Sequence, residues 1–370
     1  LGRVKGNKMV NMQLSNQKCN RNFRISYGDS RLHDTMKKKV SPERYVKPDD
    51  ILINSTGAGT AGRIAQIEDV PSATTIDGHM ILIRSNGKVT QKFLGYALKA
   101  HQWEVLQLDE GSTGQTELNR DRLLDEIMIN YPVSFDEQNA IVGTLESIDR
   151  KLIVNEQLND NLQQQATALF SSLYDRSNTE VRFTDLIQIL GGGTPKTGES
   201  TYWNGNIAFF TPKDVGTPYT LITEKTISEE GLSHCNSRLY PVNTVFVTAR
   251  GTVGKVGMSG VPMAMNQSCY ALVGKETHQL LVYFYTLKAV DRLKHKASGA
   301  VFDAITTRDF ESEQIMKLSD DDATAFLRVA EPMFQEVLNN NIENLRLSTL
   351  RDSLLPKLMS GEIDVSAVQL

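Results

Sequence analysis

Two glycine-rich strings contain the residues best able to do chemistry. Ser55-Thr56-Gly57-Ala58-Gly59-Thr60 runs on to Arg63, and Thr248-Ala249-Arg250-Gly251-Thr252 runs on to Lys255. Glycine lets a backbone approach a phosphate closely, while Thr, Arg and Lys donate hydrogen bonds to phosphates or base edges. The second string invites a phosphate-loop reading, which fails twice. Ala249 stands where the first glycine is required, and Val256 replaces the Ser or Thr that would hold magnesium. Gly191-Gly192-Gly193 lacks the G-x-G-x-x-G spacing and precedes no clear helical pattern, so it reads as a turn. Asp149-Arg150-Lys151 has the form of a nuclease triplet but lies in the middle of a helical pattern, where a solvated face is the expected reading. Cys19, Cys235 and Cys269 are odd in number and far apart, and the six histidines show no HxH or HExxH spacing. This usage fits a reducing cytoplasm and argues against a metal site or a disulfide framework. No Asn-Pro-Pro-aromatic string occurs. A binding protein without a catalytic constellation is expected.

Arg pairs well with guanine, and Asn or Gln with adenine. The first half of the chain therefore offers Thr56, Thr60, Arg63, Arg21, Arg24 and Arg31 as candidate DNA contacts. The second half offers Thr194, Lys196, Asn204, Lys213, Arg250, Thr252, Lys255, Asn266 and Gln267. The run Lys37-Lys38-Lys39 reads as solvated lysine.

An internal repeat must position these residues. Gly59-Thr60-Ala61-Gly62-Arg63-Ile64 returns as Gly251-Thr252-Val253-Gly254-Lys255-Val256, each after an apolar strand, Ile51–Ile53 or Val245–Val247. Arg120-Asp121 with Ile127-Met128 returns at the same spacing as Arg308-Asp309 with Ile315-Met316. Each copy then enters a long helical pattern with a matching asparagine, Asn155 or Asn339. Ile141, Leu145, Ile148, Leu152, Asn155, Asn159, Leu162, Ala166, Leu169 and Leu173 alternate spacings of four and three, which is a heptad seam. Ser134 is the expected N-cap, and Phe135 to Tyr174 predicts a helix of roughly 60 Å at ~1.5 Å per residue. The second seam starts with Phe326, Ala330, Met333 and Val337, slips to Leu338, Ile342 and Leu345, and ends near Leu355-Pro356.

The expected fold class is α+β. Two repeated α/β domains, with strands such as Met80–Ile83, Ile207–Phe210 and Tyr270–Val273, are separated by two long antiparallel coiled-coil helices. The expected boundaries are 1–133 for the first domain, with a trimmed or diverged start, 134–177 for the central helix, 178–318 for the second domain, and 319–370 for the C-terminal helix and tail. An antiparallel pair would let each helix act as a ruler between the copies. Charge is segregated to match. Residues 1–100 hold 17 Lys and Arg against 8 Asp and Glu, whereas 101–177 hold 5 against 14. The second domain is near neutral, with 14 against 13, and the C-terminal segment is acidic, with 4 against 9. Basic charge on a globular domain and acid on helices suit phosphate contacts in one place and protein contacts in the other. A coiled-coil adaptor that ignores DNA is the alternative.

Several strings resemble the specificity subunit of type I restriction–modification systems, whose domains are target-recognition domains. They are Gly193-Thr194-Pro195-Lys196 with Tyr202-Trp203-Asn204-Gly205, Phe135-Asp-Glu-Gln138-Asn-Ala-Ile141, and Leu354-Leu355-Pro356-Lys357-Leu358-Met359-Ser360-Gly361-Glu362-Ile363. The resemblance implies that each domain reads half of a bipartite site in double-stranded DNA. It implies helices that set the unread spacer and dock two modification methyltransferase subunits, with motor–nuclease subunits joining them. S-adenosylmethionine, ATP and magnesium would be used by those partners, not by this chain. The first copy departs from the pattern by opening with Leu1-Gly-Arg-Val-Lys-Gly6, and the second helix by opening with Leu318-Ser-Asp-Asp-Asp-Ala323. Unequal half-sites are expected, the first domain leaning on phosphates and the second on shape and base edges.

Overall fold

The short apolar runs fold as strands in a computed structural model that describes residues 11–35, 37, 39–110, 117–216, 218–296 and 304–365. The Leu1–Gly6 opening and Lys38 lie outside the described residues. Ile51–Asn54, buried at all four positions, lies antiparallel between Ile64–Gln66 and Met80–Ile83. A second sheet has Asn11–Ser15 at its centre, antiparallel to Arg31–Asp34 and parallel to Thr74–Ile76. The same two sheets recur later in the chain. Val245–Thr248, again wholly buried, lies between Val256–Ser259 and Cys269–Gly274. Trp203–Phe210 is antiparallel to Lys225–Ile227 and parallel to Met263–Met265. The parallel register also repeats, Ser15 standing opposite Ile76 and Phe210 opposite Met265. Ile187–Gly191 and Tyr219–Thr220 widen one sheet of the second copy to five strands.

The chain divides into two compact units, Leu1–Lys151 with Leu347–Leu370, and Leu152–Arg346. The division passes through both long helices, Phe135–Asp175 and Asp320–Met359, so each unit holds a segment of each. In the first unit Phe93, Tyr96 and Ala97, from the helix Gln91–Ala100, pack with Ile141, Val142, Leu145, Leu355 and Leu358. In the second, Phe170 stacks on Phe284 at 4.9 Å and meets Tyr285 and Phe326 edge-on, tying the central helix to the helix Gln279–Lys296 and to the C-terminal helix.

All ten seam positions of the central helix are buried or half-buried. Its two asparagines are met by polar partners in the second unit. Asn155 Nδ2 donates to Glu343 Oε2 at 2.7 Å and to Asn344 Oδ1 at 2.8 Å. Asn159 accepts from Asn340 Nδ2 at 2.9 Å and donates to Asn341 Oδ1 at 2.9 Å. The inward asparagine of the second helix is Asn340, not the expected Asn339. Asn339 is exposed and bonds Gln335 on its own helix, whereas its neighbour Asn340 turns inward. One position is 100° of helix, enough to exchange a seam for a solvated face.

Three further expectations need correction. Phe334 is buried more deeply than Met333, and Leu345 stays 37 % exposed, because the second seam winds past an asparagine layer that needs no leucine there. Pro356 does not stop its helix, which runs on to Met359 and also passes through Pro332. A helix-interior proline costs ~3 kcal/mol, and burial of Phe326, Ala330, Phe334, Leu355 and Leu358 outweighs it. Asp149 is not on a solvated face. Its side chain is 18 % exposed and binds Tyr96 Oη at 2.8 Å, Arg351 Nη1 at 2.9 Å and Lys99 Nζ at 3.4 Å, all within the first unit.

Candidate nucleic-acid interface

The glycine strings form the turns that follow the two buried strands, and their backbones agree closely. Gly59 and Gly251 have φ of +66° and +81°, Gly62 and Gly254 of +82° and +73°, a region L-residues avoid. Gly62 N donates to Asn54 O at 2.8 Å, as Gly254 N does to Thr248 O at 2.9 Å. Asn54 N donates to Arg63 O at 2.9 Å, and Thr248 N to Lys255 O at 3.0 Å. The second glycine of each pair also permits contact with a helix. A Cβ on Gly62 would lie 2.9 Å from Val105 O, and one on Gly254 2.6 Å from Lys294 Cε.

Other turns converge on these by equivalent main-chain bonds. Ser55 N donates to His79 O at 2.9 Å, and Ala249 N to Ser268 O at 2.8 Å. His79 N and Ser268 N are each capped by a side chain two residues earlier, Asp77 at 2.9 Å and Asn266 at 3.0 Å. Asp77 N reaches Ser15 O, and Asn266 N reaches Phe210 O, both at 3.0 Å. Those strands lead into matching turns, closed by Cys19 N on Asn16 O at 2.9 Å and Asp214 N on Thr211 O at 3.0 Å. Gln17 and Pro212 therefore occupy one position, Lys18 and Lys213 the next.

In the second domain this brings together Thr194, Lys213, Arg250, Thr252, Asn266 and Gln267. Thr252 Oγ1 donates to Pro212 O at 3.2 Å, beside Lys213, and Thr194 Oγ1 donates to Gln267. Lys196 lies exposed on the Thr194 loop, where its carbonyl accepts from Trp203 Nε1 at 3.2 Å. Lys255 is exposed at the end of its glycine turn. Asn204 is elsewhere. It has φ of +59° in the irregularity of the Trp203–Phe210 strand, against Lys225–Ile227.

In the first domain Thr56 lies at the centre. It meets Gln17 Oε1 at 3.2 Å and His79 Nδ1 at 2.8 Å. Thr60 Oγ1 and Arg63 Nη2 donate within their own turn, to Gly57 O at 3.3 Å and Gly59 O at 3.0 Å. Arg21 braces the neighbouring turn, donating to Lys18 O at 3.2 Å while pairing with Asp29 at 3.2 Å. Arg24 pairs with Glu68 at 3.5 Å, and Arg31 is exposed on an edge strand. Exposed pairs of this kind contribute little to stability.

Gln17, Lys18, Asp77 and His79 escaped the sequence reading. Their signal was positional: Lys18 and Lys213 stand at nearly the same distance before Ile51 and Val245. Desolvation, with Asp214 adding, pushes the Cys269 thiol up to about 12. Among the described residues no helix is long and apolar enough to cross a membrane.

The family described as "Type I restriction modification DNA specificity domain" matches residues 8–164 and again 176–317. The specificity subunit of the type I restriction enzyme HindI from Haemophilus influenzae is 28 % identical over 186 residues, 49 % of this chain and 40 % of that one. The MjaIX specificity subunit from Methanocaldococcus jannaschii is 30 % identical over 127 residues, 33 % of this chain and 29 % of that one. The chain thus matches less than half the length of these relatives. The crystal structure of the type I restriction–modification S subunit from M. genitalium has the same fold, with a TM-score of 0.59 at 14 % identity over 97 % of this chain and 92 % of that one.

Proposed function

Because the chain belongs to the type I restriction–modification DNA specificity family, we propose that it reads a bipartite sequence in double-stranded DNA, one half with each domain. The observation that supports this best is the repeated scaffold of turns. Each copy gathers basic and amide side chains on tips whose backbones are held by the same hydrogen bonds. Lys18 and Lys213 are placed for phosphates, and the side chains around Thr56 and Arg250 for base edges.

The chain itself is non-catalytic in this reading. Methylation is performed by two methyltransferase subunits docked on the long helices, and cleavage by motor–nuclease subunits. S-adenosylmethionine, ATP and magnesium belong to those partners. The long helices are acidic, 2 Lys and Arg against 7 Asp and Glu over Phe135–Asp175 and 4 against 7 over Asp320–Met359, which disfavours DNA along them and leaves their exposed faces to protein. Half-sites read from one face of the duplex lie about one helical turn apart, ~34–36 Å.

Sequencing genomic methylation in cells with and without the gene tests the proposal. A split motif that disappears with the gene is expected. An unchanged methylation pattern would refute it.

A further inference from the structure

The two copies share their backbone bonds but differ in the side chains at three adjoining positions. Gln17, Thr56 and His79 in the first domain stand where Pro212, Arg250 and Ser268 stand in the second. The last two pairings follow from the bridges Thr56 to Glu117 and Arg250 to Ala304, and from the bonds of Ser55 and Ala249 to His79 and Ser268. Where a scaffold repeats and its tips differ, the tips are what makes the copies act differently.

The hydrogen bonds of the first cluster determine what it can offer a ligand. Thr56 has one hydroxyl proton, and it goes to Gln17 Oε1 at 3.2 Å. With that proton directed at Gln17, His79 Nδ1, 2.8 Å from the same hydroxyl oxygen, is the donor to it in the tautomer protonated at Nδ1. That tautomer has Nε2 as an acceptor, and Gln17 keeps its amino group as a donor. His79 is exposed, and Gln17 and Thr56 are half-buried, so both groups sit at the rim of the cluster.

We propose that Gln17, Thr56 and His79 are the base-reading cluster of the first domain, taking a base edge that presents an acceptor beside a donor, as adenine does in the major groove. The second domain places Arg250 at the same position, a side chain suited to the two acceptors of guanine. The difference between the half-sites thus originates in three side chains on a common frame. This inference rests on the DNA-reading function proposed above.

Selection of duplexes from a randomised library by the full chain tests it, with wild type, Gln17→Ala, Gln17→Glu, His79→Ala and Arg250→Ala compared by sequencing. Gln17→Glu keeps the acceptor for Thr56, removes the donor and adds a negative charge, whose sequence-independent effect Gln17→Ala lacks, and thermal unfolding verifies that each variant folds. Wild type should enrich two separated motifs. The variants at 17 and 79 should lose roughly tenfold in preference at an A·T pair of one motif, and Arg250→Ala a similar amount at a G·C pair of the other. Identical motifs from wild type and the variants at 17 and 79, or relaxation of the motif that Arg250→Ala relaxes, would overturn the assignment alone. A wild-type chain that enriches no motif would overturn the DNA-reading function with it.

Discussion

Asn159 and Asn340 face each other across the helix pair of the second unit, the Asn340 amide donating to Asn159 Oδ1 at 2.9 Å. Each is about 5 % exposed. Replacing Asn159 with Leu strands the amide of Asn340 and the carbonyl oxygen of Asn341, and should cost about 1–3 kcal/mol. The pair Asn159→Leu with Asn340→Leu should recover the part of that loss due to Asn340, while half-buried Asn341 still lacks its donor. Urea unfolding of the singles and the double measures the difference; additive losses would contradict this account.

Gln138 is fully buried at the start of the central helix. It accepts from Thr90 N and donates to Pro132 O, both at 2.8 Å, joining the helix to the N-cap of Gln91–Ala100. Gln138→Ala leaves both groups without a partner, and a loss of about 1–3 kcal/mol should appear in thermal unfolding. Gln138→Glu keeps the acceptor but buries a carboxylate against the Pro132 carbonyl oxygen, and should cost at least as much as Gln138→Ala.

Asp149 sets an acid limit on the first unit. Burial by itself would raise its carboxyl, but Lys99, Arg351 and Tyr96 outweigh burial and hold it below the usual carboxylate range. A depressed folded-state value means the stabilisation is complete above the unfolded value, about 3.9, and is lost as pH falls through the folded one. Unfolding free energy should therefore drop below pH ~4, and Asp149→Asn should flatten that drop. At neutral pH Asp149→Asn leaves Lys99, 11 % exposed, without its carboxylate, while Arg351 keeps Asp352 at 2.9 Å, so the cost should stay at or below about 3 kcal/mol.

The glycine turns should tolerate alanine unequally. Gly59→Ala meets nothing within 4 Å and carries only the strain of its positive φ, about 1–2 kcal/mol. Gly62→Ala adds a clash with the rigid carbonyl of Val105 and should lower the melting temperature further. Gly254→Ala meets the flexible end of Lys294 at 2.6 Å and Val290 Cγ1 at 3.1 Å, so it should lie between them.

Lys18→Ala and Lys213→Ala should weaken DNA binding evenly across sequences. Each should reduce the slope of log affinity against log salt by about 1, which a titration over salt concentration reads directly.

The duplication, the buried strands and the central seam were legible because each is a periodic or repeated pattern of apolar residues. The second helix was only partly legible. Its seam passes through Asn340 and Asn341, and polar residues carry no periodic signal that separates Asn339 from Asn340. The glycine turns were found by matching strings, but Gln17, Lys18 and His79 join them through main-chain bonds between distant segments. Main-chain bonds leave no mark on residue type. Asp149 was misread for a related reason: a carboxylate in a helix looks solvated until Lys99 and Arg351 are placed beside it.

The bond between Asn159 and Asn340 spans 181 residues of chain. At synthesis rates of ~5–20 residues per second, the inward face of the central helix waits roughly 10–40 seconds for its partner to emerge from the ribosome. Leu162, Ala166, Phe170 and Leu173 gain their cover in stages, from Gln279–Lys296 first and the C-terminal helix last. The second unit therefore completes only once its C-terminal helix has been made, and its slowest hazard is self-association of half-finished chains through that uncovered stripe.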